Sequence, residues 1–271
     1  MLELLKYIFL GFVQGITEPI PVSSSGHLLI FQKLIGGLGS IDFEILATMT
    51  NFGSFCAIAI IYRKKIIELF KGFFGYLKSK DKKLYNDYKY SLYVIIATIP
   101  AGLVGLIVTK LGLFDFLESN VKFVGLTLLI TATFLYYIKD FKGVKSSKEI
   151  TLKDAIIIGL FQVVALLPGI SRSGSTIVGG MLRNLKRDVA FDFSFILYIP
   201  ISLATLVLGI KDLFEANLSL IQYVYYGISM ILAFIFTYIG TIWFKNIVKN
   251  GKLIYFVIYC LIVGSLVIIF L

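Results

Sequence analysis

The stretch Gln14-Gly15-Ile16-Thr17-Glu18-Pro19-Ile20-Pro21-Val22-Ser23-Ser24-Ser25-Gly26-His27 interrupts apolar sequence with two prolines, three consecutive serines, a carboxylate and the only histidine of the chain. Leu2 to Val13 before it and Leu28 to Leu38 after it are apolar. Each is too short to cross a hydrocarbon slab of ~30 Å, which takes about 20 residues. Two half-length segments around such a turn predict a re-entrant hairpin. Irregular backbone survives at membrane depth only where protein or a wet cavity covers it. The stretch has an internal partner. A shift of 148 positions lays Gly159 to Ser175, GLFQVVALLPGISRSGS, over Gly11 to His27. Gly11 then meets Gly159, Gln14 meets Gln162, Ser23 meets Ser171, Ser25 meets Ser173 and Gly26 meets Gly174. Ile41-Asp42-Phe43 and Phe191-Asp192-Phe193 echo each other at a shift of 150. The chain reads as a duplicated scaffold that holds two polar loops face to face.

The surroundings of the two loops fix the class. Of 271 residues 58% are apolar and 15% charged, and mean hydropathy is +0.90. Soluble domains carry about a quarter charged residues, so the reading is an all-α polytopic membrane protein. The net charge of +10 would suggest nucleic acid in a soluble protein. Here the lysines gather in short segments between apolar runs, as the positive-inside rule produces, and no nucleic-acid partner is expected. Cys56 and Cys260 sit in apolar runs and read as buried thiols. No small-residue cleavage site follows the first apolar run, so no cleavable signal peptide is expected.

Basic residues orient the spans. Asp42 to Tyr62 is a full span, followed by Arg63 to Lys89 with nine basic against three acidic residues, a cytoplasmic loop by expectation. Tyr90 to Thr109 crosses outward, with Pro100 and Gly102 marking a kink. The connection around Asp115 and Glu118 lacks basic residues and fits the outside. Val121 to Ile138 returns to Lys139 to Lys153, again basic. The second hairpin, Ala155 to Leu182 through Pro168 to Thr176, then enters from the cytoplasm, where Arg183, Lys186 and Arg187 follow it. Phe193 to Ile210, Ile221 to Phe244 and Leu253 to Leu271 complete six spans. Counting back from Arg63 makes the first hairpin enter from outside. The expectation is therefore an inverted-topology repeat: residues 1–148 as the first repeat, 149–271 as the second, one functional domain, six full spans, two re-entrant helical hairpins and both termini outside. Such a plan puts a site between the halves near mid-membrane.

The loops carry matching chemistry. Ser23 to Gly26 and Ser171 to Gly174 each join hydroxyls, a glycine and the start of a helix, whose free N–H groups and dipole favour an anion. Arg172 adds a fork that matches two phosphate oxygens, and arginine at membrane depth is expensive and usually functional. The serines are alternatively plain helix caps. Glu18 follows Gln14 by one helical turn, and a carboxylate beside an amide oxygen suits Mg²⁺ or Ca²⁺ completed by water and substrate phosphate. His27 is a general acid/base or nucleophile in this reading.

At these residues the chain resembles the undecaprenyl pyrophosphate phosphatase family, the bacitracin-resistance type of integral membrane enzyme. The resemblance rests on Gln14-Gly15-Ile16-Thr17-Glu18, on Pro21-Val22-Ser23-Ser24-Ser25-Gly26-His27, on Pro168-Gly169-Ile170-Ser171-Arg172-Ser173-Gly174-Ser175-Thr176, and on Phe193-Ser194-Phe195 with Ile199-Pro200. It implies hydrolysis of a polyprenyl diphosphate to the monophosphate, recycling a lipid carrier of cell-wall or glycan synthesis in the plasma membrane. It implies Glu18, Ser24, His27 and Arg172 as catalytic residues. Ser23, Ser25, Gly26, Ser171, Ser173, Gly174 and Thr176 would bind the diphosphate, and Glu18 with Gln14 a divalent cation. Gln14 and Asn51 depart from the family's usual Glu and Gln. Access from the outer face is expected, and a homodimer is compatible with the sequence. The rival class is an inverted-repeat transporter or lipid-phosphate flippase. Glu18 and His27 gathered at one anion site argue for the hydrolase, because pure binding needs neither.

Overall fold

Long apolar runs in lipid must satisfy every backbone N–H and C=O within the segment, and the α-helix does so. The computed structural model describes residues 2–113, 120–216 and 218–271. Ten α-helices carry the fold among the described residues: α1 Leu2–Thr17, α2 Ser24–Leu34, α3 Ser40–Ser79, α4 Tyr85–Lys110, α5 Val121–Ile138, α6 Leu152–Val164, α7 Arg172–Leu182, α8 Arg187–Glu215, α9 Leu220–Lys249 and α10 Ile254–Phe270. No strand occurs among the described residues; one isolated bridge joins Lys145 to Leu185. Helices α3, α4, α5, α8 and α9 are long and apolar enough to cross a membrane. Helix α10, with 17 residues, measures roughly 25 Å at 1.5 Å per residue. The connection holding Asp115 and Glu118 lies outside the described residues.

One sequence expectation needs adjusting. The basic stretch after Tyr62 is not a loop, because α3 continues to Ser79 and ends at Lys80, whose φ of 56° is left-handed. Nothing between Arg63 and Ser79 breaks a helix, and the extension has a partner: Phe73 and Tyr76 pack on Tyr88 of α4, with ring centroids 5.4 and 4.6 Å apart. Helices α4 and α8 each contain an internal proline, Pro100 and Pro200.

Packing exchanges partners between the two halves. Helix α1 lies along α9 and α6 along α4, while α3 packs on both α8 and α9 and α5 on α10. The α5–α10 seam is close: a Cβ on Gly264 would lie 2.8 Å from the Gly125 carbonyl, and one on Gly125 2.9 Å from the Gly264 carbonyl. Small residues let helix backbones approach this way in membranes. The main core gathers Val22, Leu128, Phe191, Phe193 and Phe244. A smaller one holds Tyr7, Leu10, Leu46 and Tyr226. At one end of the fold the buried Asp154 accepts from Arg183 Nε at 2.8 Å and pairs with Lys145 Nζ at 3.0 Å. It also closes a capping box with Thr151. These contacts tie the start of α6 to the end of α7 and so set the base of the second hairpin.

Candidate active site

Helix α1 ends at Thr17, and residues four apart share a helix face. Gln14 and Glu18 therefore meet: Gln14 Nε2 donates to Glu18 Oε2 at 3.0 Å. Pro19 and Pro21 supply no N–H and stop the helix. The chain reverses at Ser23, whose φ of 68° lies in the left-handed region that residues with a Cβ rarely enter. Ser23 caps α2, its Oγ accepting from the Gly26 N–H at 3.3 Å.

The second loop repeats the arrangement. Ser171 caps α7 through the Gly174 N–H at 3.0 Å. The Ser171 and Ser173 hydroxyls lie 3.3 Å apart, as those of Ser23 and Ser25 do at 3.4 Å. Helix α5 holds this loop from behind. Thr127 Oγ1 donates to the Pro168 carbonyl at 2.6 Å, while Thr131 Oγ1 donates to the Gly169 carbonyl and accepts from the Ser171 N–H, both at 3.2 Å. The loops touch at their glycines. A Cβ on Gly26 would sit 2.9 Å from the Gly169 Cα, so a side chain there would push them apart.

Ser24 and Arg172, each the first residue of its half-helix, converge on one carboxylate. Ser24 Oγ donates to Glu18 Oε2 at 2.5 Å, and Arg172 Nη2 donates to Glu18 Oε1 at 2.6 Å. The guanidinium lies over the Tyr198 ring, its Cζ 3.9 Å from the centroid. The Tyr198 hydroxyl in turn donates to Asn51 Oδ1 at 2.8 Å. A continuous chain thus runs Asn51–Tyr198–Arg172–Glu18–Ser24 across α3, α8, α7, the first loop and α2. The Glu18 side chain is 8% exposed and that of Arg172 20%. Their attraction is little screened, and either alone would be a costly charge. The first two N–H groups of α2 and of α7 have no intrahelical acceptor, and both dipoles favour an anion between them.

A cavity of about 60 Å³ opens here, lined by Glu18, Ser23, Ser24, Ser25, Ser171, Arg172 and Ser173 with Ile20, Ala165 and Ile170. Seven of the expected site residues therefore share one wall. A larger cleft of about 260 Å³ lies between α3 and α4. Its Lys65 already pairs with Glu68 at 3.2 Å and Asp87 at 3.4 Å, and none of the expected site residues lines it.

Other expected residues stand behind this wall. Gln14 backs Glu18, and Gly26 and Gly174 shape the loops. The Thr176 hydroxyl is taken by the Arg172 carbonyl at 3.0 Å and by Ser194 Oγ at 2.6 Å. His27 is 1% exposed. Its Nδ1 lies 2.8 Å from the Ser23 carbonyl and its Nε2 2.7 Å from the Tyr259 hydroxyl. Sequence reasoning missed Thr127, Thr131, Tyr198 and Tyr259. The four-residue spacing of two threonines in an apolar run was a readable sign for the first pair. Tyr198 falls inside the Phe193 to Pro200 stretch already singled out, and nothing local marks Tyr259.

The chain matches the family described as bacitracin resistance protein BacA over residues 7–266. It is 45% identical over 270 residues to undecaprenyl-diphosphatase 2 of Bacillus thuringiensis (strain Al Hakam), covering 99% of this chain and 98% of that protein. It is 44% identical over 275 residues to undecaprenyl-diphosphatase 1 of Bacillus licheniformis, covering 99% and 98%. With the undecaprenyl-diphosphatase of Oceanobacillus iheyensis it shares 43% over 270 residues, covering 99% and 97%.

Proposed function

Because this chain belongs to the bacitracin resistance protein BacA family, we propose that the cavity between its two loops receives the diphosphate of a polyprenyl lipid. The protein is a multi-pass membrane hydrolase that converts undecaprenyl-type diphosphate to the monophosphate and inorganic phosphate. The observation that carries the site assignment is the convergence of Ser24, Arg172 and the buried Glu18 at 2.5 and 2.6 Å.

The chemistry follows from those atoms. The substrate's terminal phosphate enters between the two helix starts, where the N–H groups of Ser24, Ser25, Arg172 and Ser173 point at it. Glu18 Oε2 takes the proton from Ser24 Oγ, and the freed oxygen attacks the terminal phosphorus. As the new O–P bond forms, the bond from phosphorus to the bridging oxygen breaks, and the electron pair leaves with the polyprenyl monophosphate. Arg172 moves from Glu18 towards the phosphate oxygens and stabilises the charge of the in-line transition state, with Tyr198 holding the guanidinium plane. Glu18 passes that proton to the departing monophosphate and is a carboxylate again. Water then attacks the phosphoserine with Glu18 taking its proton, the Oγ–P bond breaks, inorganic phosphate leaves, and Glu18 returns the proton to Ser24 Oγ.

Glu18, which lines the cavity, would be the ligand for a divalent cation, with Gln14 behind it holding the carboxylate through its amide N–H. One carboxylate leaves the other positions to phosphate oxygens and water, the usual habit of Mg²⁺. No cluster of three or more His, Cys, Asp or Glu side chains occurs among the described residues to cage a metal. Bound there, Mg²⁺ or Ca²⁺ would neutralise charge on the diphosphate.

The wider architecture in this reading is an inverted repeat of residues 1–148 and 149–271, with α1–α2 and α6–α7 as re-entrant hairpins and α10 as a sixth span. The exchanged packing of α1 on α9 and α6 on α4 supports it, as do the matched serine pairs. The distribution of basic segments supports a mouth of the first hairpin on the outer face of the cell membrane.

Phosphate release from farnesyl or longer polyprenyl diphosphate by detergent-purified protein tests the assignment. Wild type releases phosphate, EDTA suppresses release, and Ser24→Ala and Glu18→Gln each lower kcat by about 10³-fold or more. A Glu18→Gln enzyme with wild-type kcat would remove that carboxylate from the reaction.

A further inference from the structure

His27 is placed to act through backbone. Its Nδ1 faces the Ser23 carbonyl at 2.8 Å, and a carbonyl only accepts, so Nδ1 carries the hydrogen. In the neutral ring Nε2 then accepts, and the Tyr259 hydroxyl 2.7 Å away is its donor. The two rings lie nearly parallel, 15° apart with centroids at 5.5 Å. The Ser23 carbonyl receives a second hydrogen bond, from the His27 N–H at 3.1 Å. That carbonyl belongs to the residue with the left-handed φ of 68°, a conformation that persists only when its surroundings over-determine it. It directly precedes Ser24. Helix α10 touches the same loop again through Cys260 Sγ, 3.9 Å from the Pro21 carbonyl.

We propose that Tyr259 and His27 form a positioning pair that fixes the strained Ser23 turn and so aims the Ser24 hydroxyl at Glu18. Neither residue lines the cavity, and both act through the Ser23 carbonyl. The pair belongs to this chain's two ends: α10 reaches across 232 positions to lock a turn near the start. The aiming role rests on the hydrolase reading above; the hydrogen-bond arrangement does not.

Because His27 is the only histidine, ¹⁵N-histidine labelling reads it alone. NMR of the full chain in detergent or nanodiscs gives a neutral ring protonated at Nδ1, and Tyr259→Phe shifts the Nε2 resonance by removing its donor. In phosphate-release assays Tyr259→Phe lowers kcat about fivefold with KM unchanged, the size of one lost hydrogen bond. The nitrogen of an Asn side chain sits where Nδ1 does. His27→Asn therefore stays within about tenfold of wild type, whereas His27→Ala falls well below it. An imidazolium or an Nε2-protonated ring in wild type overturns the pair. So does a Tyr259→Phe enzyme with wild-type kcat, or a His27→Asn enzyme as slow as His27→Ala. Should wild type release no phosphate at all, the hydrolase reading fails, and the NMR tautomer still decides for or against the pair.

Discussion

At the scale of residues, the Glu18–Arg172 pair decides both stability and chemistry. Each side chain justifies the other's burial, and the Ser24 hydrogen bond uses the carboxylate oxygen that Arg172 leaves open. Arg172→Ala strands a carboxylate whose side chain is 8% exposed, at a cost of about 3 kcal/mol. Adding Glu18→Gln removes that charge. The double variant therefore melts above Arg172→Ala in detergent while remaining inactive, and equal melting temperatures would show that the two are uncoupled. The pairing also explains how Gln14 serves where a second acid would add charge: its amide donates a hydrogen bond to Glu18 Oε2.

Among the elements, the α5–α10 seam links the two loops to each other. Helix α5 holds the second loop through Thr127 and Thr131, and α10 holds the first through Tyr259. The glycine contact of Gly125 and Gly264 sets their spacing. Gly264→Val overfills that seam and costs about 1–3 kcal/mol of stability. It also lowers kcat, because α10 carries Tyr259 away from His27. Gly227→Ala is the control. A Cβ there meets nothing within 4 Å, and the melting temperature holds or rises. If both variants melt alike, the seam is not tight. The α3 extension teaches a related lesson about legibility. Basic residues between spans mark a cytoplasmic segment, yet they do not say whether it is loop or helix, and contacts with α4 settled that.

Over the whole molecule, the inverted plan makes a sided prediction. In a background without Cys56 and Cys260, single cysteines are placed at Glu3, Leu34, Lys148 and Lys186. A membrane-impermeant maleimide added to intact cells labels Glu3→Cys and Leu34→Cys together, and reaches Lys148→Cys and Lys186→Cys only after lysis. Opposite labelling of Glu3 and Leu34 would mean that the first hairpin spans the membrane, and with it the re-entrant reading would fall. In the proposed reading the polar cavity of about 60 Å³ takes the phosphate end of the substrate, and the prenyl chain stays with the bilayer and the apolar helix faces.

The sequence by itself determined the helical membrane class, the two polar loops, and most of the residues that line the cavity. Those features are carried by local pattern: apolar run length, prolines that stop helices, serines that cap them and a charge too expensive to be idle. Only the tertiary structure decided which partner each polar group takes. Glu18 joins Arg172 from 154 positions away, His27 turns to Tyr259 rather than into the cavity, and Tyr198 lies under the guanidinium. The physical reason is that a buried polar group must find a hydrogen-bond partner wherever packing brings one within reach. Packing between distant helices leaves no periodic trace in the chain.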